Sequence, residues 1–185
     1  MCAQAKVIIS TVGPYALYGE TLVKVCAETG TDYCDLTGEV QWIDRMLKKY
    51  EATAKASGAH IVHCSGFDSI PSDMGVYFTQ REAKKTLGEY CNNISMRVKA
   101  AKGGASGGTI ASILNITKEV MKDPALRKDL VNPYLVCPPG HDFKVRQFDT
   151  KKPTLDKKFN GWTAPFVMAG INTRIVFRSN ALAGS

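Results

Sequence analysis

Three short apolar runs, closing near Gly13, Leu36 and Cys64 and separated by stretches of helical periodicity, constrain this chain more than any other feature. The first lies in KVIISTVGPYALYG, residues 6–19. Val7, Ile8 and Ile9 stand in succession rather than in alternation, the pattern of a strand covered on both faces in a parallel sheet. Gly13-Pro14 breaks the strand and a helix follows. Residues 21–29 carry Leu22, Val25 and Cys26 at helical spacing and stop at Gly30. A second strand is predicted over 33–36. A long helix over 40–57 follows, with Ile43, Met46, Leu47 and Tyr50 on one face and Gly58 after it, and then a third strand over 59–64. Strand, helix, strand, helix, strand in about sixty residues is the spacing of right-handed βαβ units. The fold class is therefore α/β, with about half of a doubly wound, Rossmann-like parallel sheet.

In open parallel sheets ligands lie beyond the carboxyl ends of the strands, which puts Thr11, Val12, Gly13, Pro14 and Tyr15 where a ligand would be. Gly13 lets a ligand approach the backbone, and Pro14 removes a donor and fixes φ. The plain alternative is a tight βα turn with no ligand duty. The third strand runs into SGFDSIPSD, residues 65–73, where Pro71 suits a first helical turn and Ser69 or Ser72 suits a cap, so a helix is predicted over 71–85. Its start would face the same edge of the sheet. Asp68 either accepts hydrogen bonds from a ribose or substrate amine there, or with Asp73 only stabilises the helix N-terminus.

Beyond Gly88 the pattern changes. Residues 93–101 alternate Ile94, Met96, Val98 and Ala100 with polar residues, as a half-exposed antiparallel strand does. The turn KGGASGGT, residues 102–109, leads into a helix over 109–122 with Ile110, Ile113, Leu114 and Val120 as its stripe. Its glycines fit neither GxGxxG nor a Gly-Lys-Ser/Thr phosphate loop, so it reads as a tight turn at the rim of a pocket, with Ser106 and Thr109 as donors. A short strand is expected within 141–148, exposed loop over 149–162, and a helix at the end carrying Val167, Ile171, Ile175 and Val176.

Charge marks the same division. Residues 1–80 hold 6 Lys/Arg against 9 Asp/Glu, whereas 81–185 hold 18 against 8. The change of sign, with the change of pattern, predicts a domain boundary, with a partial Rossmann-like domain over 1–87 and an α+β domain with a mixed or antiparallel sheet over 88–185. The lysine pairs of the basic half lack interleaved aromatics, so no nucleic-acid partner is expected. No apolar run is long enough for a membrane span and no signal peptide is visible, which predicts a soluble, cytoplasmic protein. The six cysteines are scattered, without CxxC or zinc spacing, and are expected to be reduced and partly buried. There is no GxSxG and no HExxH. The histidines His60, His63 and His141 form no ligand set, so neither a nucleophile nor a metal site is named.

Two stretches, TVGPYALYGETLVKVCAETGTDYCDLTGE and HCSGFDSIPSDMGV, closely resemble the saccharopine dehydrogenase-like oxidoreductases, and within them the trans-acting enoyl reductase branch. Weaker likeness lies in SGGTIASI and APFVMAGINTRIVFRSNA. The resemblance implies an NAD(P)-dependent oxidoreductase, with NAD or NADP as cofactor and a small-molecule or acyl substrate. It places the neighbourhood of Gly13, Pro14 and Tyr15 near the ribose and nicotinamide. It also implies that the segment holding Asp35, Thr37, Gly38 and Glu39, and that holding Gly66, Phe67, Asp68 and Ser69, line the cleft between the two domains. The family's glycine-rich phosphate turn belongs to a first βα unit that these residues do not contain. The expectation is thus a fragment, inactive alone, of a longer enzyme. The alternative is a non-catalytic interaction or dimerisation module that keeps a relic nucleotide fold and forms a homodimer through an exposed sheet. A third reading is a phosphate or acyl pocket built on residues 103–109.

Overall fold

The computed structural model describes residues 1–104, 106–145 and 150–184. In chain order its elements are β1 (Val7–Ser10), α1 (Tyr15–Tyr18), α2 (Glu20–Thr29), β2 (Asp32–Asp35), α3 (Val40–Ser57), β3 (Ile61–Val62), α4 (Ile70–Leu87), α5 (Gly107–Lys122), α6 (Ala125–Val131), β4 (Thr154–Asp156), β5 (Gly161–Thr163) and α7 (Ala169–Ala183). They pack as two compact units, Met1–Phe67 with Gly104–Val136, and Asp68–Gly103 with Cys137–Ser185. Helix α4, on the first side of the expected boundary at residue 87, packs in the second unit, and α5 and α6, on the far side of it, pack in the first.

The first unit is built on a parallel sheet in the order β1-β2-β3. Its α/β class is as expected, and so are the glycine stops: Gly30 and Gly58 end α2 and α3 in the left-handed region, at φ 70° and 81°. Helices α2 and α3 pack on each other and cover one face of the sheet. Val23, Cys26, Tyr33, Trp42, Ile43 and Met46 form the core there, each at most 2% exposed. The other face differs from the expectation of a sheet covered on both sides. Ile9, Cys34 and Val62 stand in one cross-strand row on it, with Ile9 68% and Val62 51% exposed.

Helix α5 packs in the first unit with its polar side inward. Ser112 reaches Glu39, and Glu119 pairs with Arg45 at 3.3 Å, while Ile110, Ile113, Leu114 and Met121 face outward. Ser106 caps it, its hydroxyl accepting from the Thr109 N–H at 3.2 Å.

In the second unit α4 packs on α7. Asn172 donates to the Asp68 carbonyl at 2.8 Å and to the Ser72 hydroxyl at 3.0 Å, and Ser179 donates to Asp73 at 2.9 Å. Gln80 clamps the backbone of Cys91 from both sides, accepting its N–H at 2.8 Å and donating to its carbonyl at 3.1 Å. Residues 93–101 form no strand, a correction to the reading from alternation. Among the described residues no strand pairs with them, and Arg97 turns its guanidinium to Asp156 and the face of Phe159. Antiparallel pairing occurs where loop was expected, between β4 and β5, through a turn ending in Asn160-Gly161 with Asn160 at φ 49°. Residues 141–145 are not strand, and 146–148 of that expectation lie outside the described residues.

Candidate functional site at the carboxyl edge of the parallel sheet

Two buried carboxylates organise the edge at which β1, β2 and β3 end. Asp35, the last residue of β2, is fully buried. One of its oxygens accepts from the N–H groups of Thr37 at 3.0 Å and Cys64 at 3.1 Å, and the other meets His63 Nδ1 at 2.7 Å. The Ser65 N–H closes on the Asp35 carbonyl at 2.7 Å, and the Cys64 thiol donates to the Thr37 carbonyl at 2.8 Å. The tips of β2 and β3 are thereby fixed to each other. The His63 ring, just past β3, packs edge-on against Trp42 and Tyr33.

Glu39, 1% exposed, does the same for β1 and α1. Its Oε1 accepts from the Tyr15 N–H at 2.8 Å and the Ser112 hydroxyl at 2.8 Å, and its Oε2 from the Ala16 N–H at 3.0 Å. Tyr15 carries the link onward: its hydroxyl donates to the Ser10 carbonyl at 3.0 Å and accepts from the Leu36 N–H at 3.3 Å, and its ring lies on Trp42. Burial above all raises the Tyr15 phenol over its ordinary value; the Leu36 N–H opposes this and the charges of Asp35 and Glu39 add to it. Tyr15 is therefore a neutral phenol whose proton is spent inside the protein.

The residues singled out from sequence fall into two groups. Thr11 and Val12 are exposed, with Gly13 half-buried beside them, and Leu36 and Phe67 also present side chains to solvent, Phe67 at 88%. Pro14, Tyr15, Asp35 and Thr37 are buried, and hydrogen bonds within the protein occupy the last three. Gly38 is half-buried, and Gly66 approaches Leu36 so closely that a Cβ would come within 2.8 Å of Leu36 Cδ2. Asp68 and Ser69 belong to the second unit, Asp68 exposed and Ser69 buried at the start of α4, where neither Ser69 nor Ser72 caps through its side chain. Ser106 and Thr109 hydrogen-bond each other in the α5 cap. Sequence reasoning singled out neither Trp42 nor Ser112 as a site residue, although Ser112 lies in SGGTIASI and Glu39 in DLTGE, two stretches already marked.

The edge suits one part of a dinucleotide and not another. The N–H groups that open α1 already hold an internal carboxylate, so nothing there is left for a pyrophosphate. Exposed Thr11, Val12 and Leu36, with half-buried Gly13, would instead offer a mainly apolar ledge to a flat uncharged group. Among the described residues no group of His, Cys, Asp and Glu could hold a metal ion, and no helix is long and apolar enough to cross a membrane.

A βαβαβ unit whose strand tips form such a ledge is the kind of frame on which α/β enzymes build ligand sites. The chain is 42% identical, over 98% of its length, to a Mycobacterium tuberculosis protein provisionally named a trans-acting enoyl reductase. It is 38% identical to the trans-acting enoyl reductase of Mycobacterium bovis and 36% identical to that of Mycobacterium leprae, again over 98% of its length. It spans about 45% of the length of each. No family model and no solved structure matches. The similarity thus runs along nearly the whole chain and covers part of proteins named trans-acting enoyl reductases.

Proposed function

We propose that this chain is part of an NAD(P)-dependent oxidoreductase of the trans-acting enoyl reductase type, within the saccharopine dehydrogenase-like group. The observation that carries the reading is the similarity to the mycobacterial enoyl reductases along 98% of the chain. The ledge at the carboxyl edge supports it. Thr11, Val12 and Gly13, with Leu36 beside them, would take the ribose and nicotinamide end of the cofactor, and Asp35, Thr37 and Tyr15 would fix that surface from beneath. When bound, the nicotinamide supplies the hydride for an enoyl substrate, and the chain orients it and excludes water. The pyrophosphate would be held by residues outside these 185, so the chain alone does not turn over.

Titration with NADPH and NADH, followed by thermal stabilisation, tests this in the 185-residue chain and in a longer product of its reading frame. Stabilisation of the longer protein, with weak or no response from the shorter, is expected. No response from either at millimolar cofactor would overturn the reading.

A further inference from the structure

We infer that Glu39 is a positioning residue: its carboxylate pins the turn at residues 13–16 against Ser112 of α5, and so sets the height of the ledge on which the uncharged end of a dinucleotide would lie. The ligand in this inference rests on the function proposed above; the positioning does not.

Glu39 occupies the N-cap position of α3, where a Ser or Asp would normally satisfy the helix's own first N–H groups. Its side chain makes no such bond. It reaches away from α3 to two successive N–H groups of another helix and to a hydroxyl 73 residues further along the chain. Among the described residues no Lys, Arg or His forms an ion pair with it, and its three partners are two backbone N–H groups and a hydroxyl. A simple cap would not need that arrangement. The turn lies against α5 on the same side: a Cβ on Gly13 would be in ordinary contact with Ser112 Oγ at 3.4 Å and with the Tyr15 ring at 3.5 Å. From Tyr15 the linkage continues to Ser10 at the end of β1 and to Leu36 just past β2. A change at Glu39 or Ser112 is therefore felt at both strand tips beside the ledge.

The test uses the 185-residue chain, and any longer product of its reading frame, with the variants Glu39→Gln and Ser112→Ala. Gln keeps the size of Glu but turns an amide N–H toward a backbone N–H; Ala removes one donor from the carboxylate. Amide hydrogen exchange at Tyr15 and Ala16, NADPH affinity and melting temperature are read together. Faster exchange at those two amides is expected in both variants, with NADPH binding weakened ~10-fold or more in Glu39→Gln and about 3-fold in Ser112→Ala. A role confined to stability would lower the melting temperature and leave the affinity of the folded protein unchanged, and that result overturns the inference. Unchanged exchange at Tyr15 and Ala16 overturns it as well. Should Glu39→Gln fail to fold, Ser112→Ala decides. If the wild type binds no NADPH, the functional reading fails and the exchange data alone judge the positioning.

Discussion

At Gly19, between α1 and α2, only a hydrogen fits. A Cβ there would lie 2.6 Å from Trp42 Cζ2 and 2.9 Å from the Tyr15 carbonyl, and both belong to the rigid core beneath the candidate edge. Gly19→Ala should cost about 1–3 kcal/mol in a urea melt, through crowding rather than φ, since Gly19 sits at φ −81°. Asp35→Asn should cost on the order of 3 kcal/mol, because the amide cannot accept from Thr37, Cys64 and His63 together. Burial, with Cys2 beside it, pushes the Cys26 thiol up to about 12. With the thiol protonated and its side chain fully buried, iodoacetamide should leave Cys26 unmodified at about pH 8 until the protein is denatured. Single residues were the hardest thing to read in the sequence. Asp35 and Thr37 were found by position, as ligand residues, yet both lie under the surface with their hydrogen bonds taken by the protein. Nothing in the order of letters says whether a carboxylate at a strand tip faces outward or inward.

Whole elements were more legible, for reasons visible in the packing. Helix α3 runs from Val40 to Ser57 as expected because a strong apolar face and a left-handed Gly58 act together. The alternation over 93–101 misled because a strand also needs a partner, and pattern alone does not supply one. The β4-β5 hairpin carried a signal that was passed over: Asn160-Gly161, a turn dipeptide that tolerates positive φ. Ser106→Ala removes the hydroxyl that accepts from the Thr109 N–H and pairs with the Thr109 hydroxyl, and should cost about 1 kcal/mol, seen as fraying of the first turn of α5 by hydrogen exchange. Where α4 meets α7, burial raises the Asp73 carboxyl above its ordinary 3.8, opposed by the Ser179 hydroxyl. A raised carboxyl stabilises the fold fully below the unfolded value and loses that contribution as pH rises through the folded one. Asp73→Asn, which keeps an acceptor for Ser179, should therefore be more stable than wild type at about pH 7, and the difference should close below pH 3.8. Urea midpoints across that range check the sign.

For the molecule as a whole, the open face of the parallel sheet is the largest departure from the α/β pattern expected of it. Ile9, Cys34 and Val62 form an apolar row in which the two outer residues are more than half exposed. Such a surface favours self-association. The double variant Ile9→Thr, Val62→Thr should lower dye binding to exposed apolar surface and light scattering at high concentration, at little cost to the melting temperature.

The two units also interleave along the chain, which passes from one to the other after Phe67, Gly103 and Val136. A ribosome making this polypeptide completes residues 68–103 before it has made α5 and α6. Glu39 must therefore wait for Ser112, its carboxylate short of one of its three donors, while part of the second unit is already emerging. Assembly cannot proceed as one finished body followed by another; the early unit closes only after the late one has begun.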